Sequence, residues 1–157
     1  MPSPDILKEN PVARIQGIDY PEGLLYDVDN QIWYEPLAEG TVRAGFTPWA
    51  AKMMGGVLVF TPKRIGREFE RGRSFAVVEG GKWVGSAHAA FDGSMVSHNE
   101  LLMQKPELLE EGFGQAWMVT VRPTRADWRA GLITGDAIGP AFEAWIRGER
   151  YKEKQAN

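Results

Sequence analysis

Apolar and polar positions alternate along this chain in short stretches, and turn residues interrupt them at short intervals. Such a pattern predicts short strands. Leu24 to Val28 and Gln31 to Glu35, parted by Asp29-Asn30, read as a hairpin. Thr41 to Phe46, Val57 to Thr61 and Ser94 to Ser97 read as further strands, and Ala116 to Val121 alternates bulky side chains in the same way. Ser74 to Glu79 and Trp83 to Ala87 flank Gly80, Gly81 and Lys82, which predicts a tight hairpin with a lysine at its tip.

Helix signals are fewer. Thr47 is placed to cap, Pro48 suits a first helical position, and Gly55-Gly56 supplies a left-handed stop after Trp49 to Met54. Pro106 to Glu111, closed by Gly112, predicts a short helix, and Thr124 to Asp127 resembles a capping box that opens another. Phe142, Trp145 and Ile146 fall at helical spacing in a last helix that frays over 151–157. Residues 1–22, with four prolines and little periodicity, read as an arm that is partly disordered or wraps the domain. The expected organisation is an arm over 1–22, a domain over 23–150 and a frayed tail. Its class is mainly β (α+β), a small β-rich fold rather than a βαβ sheet.

Composition narrows the function. The chain has 157 residues, 43% of them hydrophobic, which is enough for one domain with a real core. A net charge of -3 gives no pull toward nucleic acid, and no apolar run approaches bilayer length. The first ten residues lack the basic start and apolar centre of a secretory signal, which points to the cytoplasm. Without cysteine there is no disulfide, thiolate ligand or thiol nucleophile. His88 and His98 are isolated, so no metal site is expected. His88 follows the lysine by six residues and is expected near the hairpin. No paired carboxylates, nucleophile triad or phosphate loop can be argued from spacing.

Lys82 is the chemical candidate. At a hairpin tip a lysine is held off the body of the protein, which suits a tether for a swinging group. By spacing alone, a surface lysine after Gly-Gly is far more often a solvated turn residue than a modification site. Gly72 and Gly93 lie ten residues before and eleven after it, where glycine would ease close chain packing at the hairpin base. Lys63, Arg64, Arg67, Arg71 and Arg73 form a basic run with Glu68 and Glu70 interspersed. It reads either as a solvated loop or as a docking patch for an acidic partner or anionic substrate. Trp83 packs either over the base of the lysine or in the core. Trp33, Trp49, Trp117, Trp128 and Trp145 are assigned to core or helix docking.

Ordered motifs carry a family resemblance. Ala44-Gly45-Phe46-Thr47-Pro48-Trp49-Ala50 is similar to V-G-I-T-x-Y-A, and Met54-Gly55-Gly56-Val57 to L-G-D-I. Gly72 to Lys82 follows G-x-x-F-G-V-V-E-S-V-K. Asn99-Glu100, Pro106 to Leu109, Phe113-Gly114 and Ala116 to Met118 continue the series. In this order they resemble the H protein of the glycine cleavage system, over about three quarters of the chain. The resemblance implies a barrel-sandwich hybrid core with short connecting and C-terminal helices. It implies that Lys82 carries lipoate in amide linkage, attached by a lipoate ligase or lipoyl transferase that reads Glu79, Gly80, Gly81 and Trp83. A biotin carrier fits less well, because methionines usually flank its lysine and Gly81 and Trp83 stand here.

Departures cluster near the lysine. Gly80-Gly81-Lys82-Trp83 replaces S-V-K-A, Ser86-Ala87-His88-Ala89-Ala90 replaces D-L-Y-A-P, and an often acidic stretch is basic. These features look more like the lipoate-binding proteins of sulfur oxidation, which work with a heterodisulfide-reductase-like complex. The expected role is therefore a monomeric carrier of sulfur-bound intermediates. The alternatives are the glycine cleavage carrier, whose partners are glycine decarboxylase, aminomethyltransferase and dihydrolipoamide dehydrogenase, and an unlipoylated interaction module.

Overall fold

The computed structural model describes residues 11–82 and 84–156, with 149–156 as backbone only. In chain order its strands begin with β1 (Val12–Ile15), β2 (Ile18–Pro21), β3 (Leu25–Asp27), β4 (Ile32–Pro36) and β5 (Val42–Phe46). Helix α1 (Pro48–Met53) follows, then β6 (Val57–Pro62), β7 (Glu68–Phe69), β8 (Ser74–Gly80), β9 (Val84–His88) and β10 (Gly93–His98). Helix α2 (Glu100–Gln104), strand β11 (Val119–Pro123) and helix α3 (Ile138–Ala156) complete the set. All strand pairs are antiparallel. One sheet has six strands in the order β3-β4-β5-β11-β10-β7, a second has the order β6-β8-β9, and β1 pairs with β2 alone. The class is mainly β with short helices, as expected.

Strand periodicity builds two cores on β4. Successive side chains of a strand point to opposite faces. Ile32 and Tyr34 therefore enter a core shared by both larger sheets, together with Phe46, Phe60, Phe75, Val78 and Val121. Trp33 points the other way, into a second core with Tyr20, Tyr26, Ile138, Phe142 and Ile146. The Trp33 indole N–H donates to the carbonyls of Phe46 and Gly112. A Cβ at Gly45 would stand 2.6 Å from that ring, so glycine is required for the indole to cross β5.

Several expectations are corrected. Residues 12–21, expected within an arm, form the β1–β2 hairpin, and Tyr20 stacks on Phe142 at 4.3 Å between ring centres. Its turn is Gln16-Gly17 with φ of 55° and 79°, the two left-handed positions of a tight hairpin. Residues 1–10 of that arm lie outside the described residues. Thr124 to Asp127 opens no helix: Asp127 accepts from the Arg125 guanidinium at 3.1 Å, and Thr124 N–H bonds to the Asp92 carbonyl. Residues 124–131 are bends and turns. The strand expected from Ala116 starts at Val119, after a 3-10 turn at Gly114–Ala116. Helix α2 was missed. Asn99 caps it through Leu101 N–H while its amide donates to the Gln115 and Trp117 carbonyls, so one residue ties the helix to the next segment. Backbone helix continues to Ala156, where a frayed tail was expected from residue 151.

Candidate functional site

The site begins with a helix cap. Thr47 Oγ1 accepts from Ala50 N–H at 3.3 Å and donates to Gln31 Oε1 at 2.6 Å. Gln31, buried and at φ 58°, donates through its amide to the Val28 carbonyl. A polar residue buried with all these partners is satisfied, so it fixes where α1 starts. Six residues later the helix stops, and Gly55 and Gly56 follow at φ of 73° and 90°. Only glycine takes two such positions at little cost.

That stop is also a seat. Register pairs Val78 with Gly85 and Glu79 with Val84, so the chain reverses between Gly80, the last residue of β8, and Val84, the first of β9. Lys82 N–H donates to the Met54 carbonyl at 2.9 Å, and Gly81 N–H to the Gly56 carbonyl at 3.0 Å. The turn is thus strapped to the end of α1 by two backbone hydrogen bonds. A Cβ at Gly80 would lie 2.6 Å from Met54 Cβ and 2.8 Å from the Gly56 carbonyl oxygen, and one at Gly81 would lie 2.6 Å from the Gly55 carbonyl oxygen. The space at these glycines is filled by the chain's own backbone.

Lys82 itself is exposed, and no ion pair holds its ammonium among the described residues. Val59, Glu79 and Val84 are register neighbours across β6, β8 and β9, and all three are exposed. Beside the start of β9 lies a cleft of about 230 Å³ lined by Phe46, Trp49, Met53, Met54, Gly85 and Trp145. Trp49 and Trp145 meet edge to face there, 6.5 Å apart. Trp83 falls outside the described residues.

The basic run is elsewhere. Lys63 N–H bonds to the Phe75 carbonyl, so Lys63 sits beside the start of β8, and Arg73 accepts from Ala89 N–H where the hairpin closes. The seven residues of β8 separate them from the tip, about 20 Å at the rise of a strand. Arg64, Arg67, Arg71 and Arg73 are exposed there and Lys63 is half-buried. His88, expected near the hairpin, is the last residue of β9 and pairs with Ser74 at this far end. Gly72, at φ 85°, bonds to the Ala89 carbonyl at the hairpin base. Gly93 instead packs on Phe69 and the Arg122 carbonyl, and a Cβ there would meet each at 2.8 Å. Among the described residues no group of three or more His, Cys, Asp or Glu is arranged to hold a metal ion, and no helix is long and apolar enough to cross a membrane.

Sequence reasoning found Lys82 and the helix stop but missed their contact. The Gly55-Gly56 and Gly80-Gly81 pairs were the available signal, because glycine suits places where another backbone approaches closely.

Comparison with known proteins identifies the family and the fold. The family model described as Glycine cleavage H-protein matches residues 24–143. Glycine cleavage system H protein 2 of Aquifex aeolicus is 30% identical over 140 residues, covering 88% of this chain and 87% of that relative. Glycine cleavage system H protein 5 of the same organism is 35% identical over 121 residues, covering 74% of this chain and 81% of that relative. The crystal structure of a glycine cleavage system H protein from Mycobacterium marinum matches with a TM-score of 0.64 at 24% identity. It covers 73% of this chain and 91% of that one. The fold is shared, and the barrel-sandwich class expected from the motifs is the class observed.

Proposed function

The chain belongs to the glycine cleavage H-protein family, and on that footing we propose that it is a lipoyl carrier, without catalysis of its own, built on Lys82. One observation carries the reading: an exposed lysine on a turn whose backbone is strapped to the end of α1. The residues present fit a lysine-linked acyl group. The amine is exposed, it has no ion-pair partner among the described residues, and its base is rigid. Lipoate in amide linkage would supply a dithiolane that holds a sulfur-bound group on a long flexible chain.

The protein's own part is presentation. Met54, Gly56 and Gly81 fix the lysine's base, so the arm is tethered at high effective concentration near any enzyme docked on the tip. Glu79, flanked by Val59 and Val84, offers the attaching enzyme a charge on an apolar strip. The apolar cleft at the start of β9 offers an aliphatic chain a place out of water. With no cysteine in the chain, thiol chemistry would depend on the attached group.

Intact mass after co-expression with a lipoate ligase tests the reading. The wild type gains one lipoyl group and Lys82→Arg gains none. An unmodified wild type, or an equal gain on the variant, sinks it and leaves an interaction module.

The relatives' names favour glycine cleavage as the system served. Partners would then be glycine decarboxylase, aminomethyltransferase and dihydrolipoamide dehydrogenase. A second reading, cytoplasmic sulfur oxidation with a heterodisulfide-reductase-like complex, is favoured by Gly80-Gly81-Lys82-Trp83 and by the basic run. Offering the lipoylated protein to glycine decarboxylase with glycine separates them. Robust aminomethyl transfer establishes the first reading, and its absence under conditions that load an authentic glycine cleavage carrier favours the second.

A further inference from the structure

The Lys82 stem lies on a residue with no side chain. A Cβ built at Gly55 would stand 2.7 Å from Lys82 Cγ, 3.1 Å from Cδ and 3.3 Å from Cβ. An approach of 2.7 Å does not occur at ordinary Cβ atoms, so a side chain at position 55 would force the stem to move. Neighbouring Gly56 has the same left-handed backbone, at φ 90° against 73°, yet nothing lies within 4 Å of its Cβ position. Backbone conformation alone explains glycine at both positions. The steric contact with the lysine is particular to Gly55.

Resting on the reading of Lys82 as the lipoyl site, we propose that Gly55 is a positioning residue that sets the direction in which the Lys82 amine is presented. The main chain of Lys82 is already fixed by its bond to Met54. With the floor at Gly55 open, the first three side-chain carbons can lie along the α1–β6 turn. The amine then meets an activated donor, a lipoyl adenylate or thioester, from one side. Lys82 Nζ attacks the donor carbonyl, an amide C–N bond forms, the bond to adenylate or thiolate breaks, and the amine loses one proton. A side chain at position 55 displaces the stem and costs alignment, which acts on turnover more than on binding.

The test compares Gly55→Asn with Gly56→Asn, because asparagine tolerates left-handed backbone best among side chains. Initial rates of lipoyl attachment are followed by intact mass, with lipoate ligase, lipoate and ATP, at varied carrier concentration. Both variants should melt at similar temperatures. Gly55→Asn should lose about tenfold or more in kcat with little change in KM, while Gly56→Asn stays within about twofold of wild type. Equal rates in the two variants overturn the proposal. A second measurement needs neither variant nor ligase: in the unmodified wild type, NMR should show contacts between the Gly55 α protons and the Lys82 methylenes. Their absence overturns the proposal, including where a variant does not fold. A wild type that shows the contacts but takes no lipoate defeats the carrier reading and leaves the stem geometry standing.

Discussion

The two ends of the β8–β9 hairpin are built by different means. At the tip, order comes from backbone meeting backbone: two N–H groups bonded to the end of α1, with glycines where a Cβ would collide. At the base, the backbone is also paired, but what faces outward is a set of charged side chains, Arg64, Arg67, Arg71 and Arg73 beside Glu68 and Glu70. The first arrangement holds a single residue in one place and tolerates almost no change. The second sets a local charge and tolerates much, because substitutions of exposed charged side chains change stability little. Position is specified at one end and field at the other.

Single substitutions can break this contrast. Gly80→Ala should have the largest effect, destabilising by about 2–3 kcal/mol, because the new methyl meets Met54 and the Gly56 carbonyl. Gly66→Ala, toward the base, has the same left-handed backbone problem as the tip's helix stop, at φ 88°, but open space around it. It should cost only about 1–2 kcal/mol. Chemical denaturation decides, and equal losses at the two positions would remove the case for a steric clasp. Thr47→Ala comes next. Losing the cap of α1 should cost about 1 kcal/mol and leave Gln31 Oε1 without its donor, loosening the Met54–Gly56 seat. Faster amide exchange at Lys82 and Gly81 is the expected readout, and unchanged exchange would uncouple cap from seat.

At the base, reversing charge at Arg67 and Arg71 together should leave stability within about 0.5 kcal/mol. Partner binding should weaken and lose part of its salt dependence. Binding that keeps its affinity and its salt slope would return the basic run to a plain solvated surface.

The smallest change belongs to neither end and sets a baseline. Tyr20 is fully buried with its hydroxyl unpartnered among the described residues, and burial pushes that phenol up to about 12 from an ordinary 10. Between those values the folded state binds more protons than the unfolded one, so stability falls as pH rises from about 10 to about 12. Tyr20→Phe should be neutral to mildly stabilising at pH 7, by up to about 1 kcal/mol, and should lessen the alkaline loss. Melting curves across that pH range check it. An unchanged alkaline profile would mean that other phenols, such as buried Tyr26 and Tyr34, carry the loss.

Local chemistry was legible in the sequence, and long-range contact was not. Thr47-Pro48 and Gly55-Gly56 announced α1, and the alternation on either side of Gly80-Gly81 announced the hairpin, because caps and turns act within a few residues. What the helix stop is for lay about 25 residues further along, in Gly81 and Lys82, and no local pattern links the two. The β1–β2 hairpin was lost for another reason. Its apolar residues Ile15, Ile18 and Tyr20 are few, and they gain their burial from α3 at the opposite end of the chain. At Thr124 the local signal was present but no helix follows: residues 124–131 are bends and turns, and Asp127 pairs with Arg125.

The central claim is that the clasped tip exists to present Lys82. It is tested most directly by peptide mapping of the protein made in a host supplied with lipoate and a lipoate ligase. The account predicts a lipoyl group on the peptide holding Lys82 and on no other lysine. A group on another lysine, such as Lys52 at the end of α1, or an unmodified Lys82 under conditions that load an authentic H protein, would contradict it.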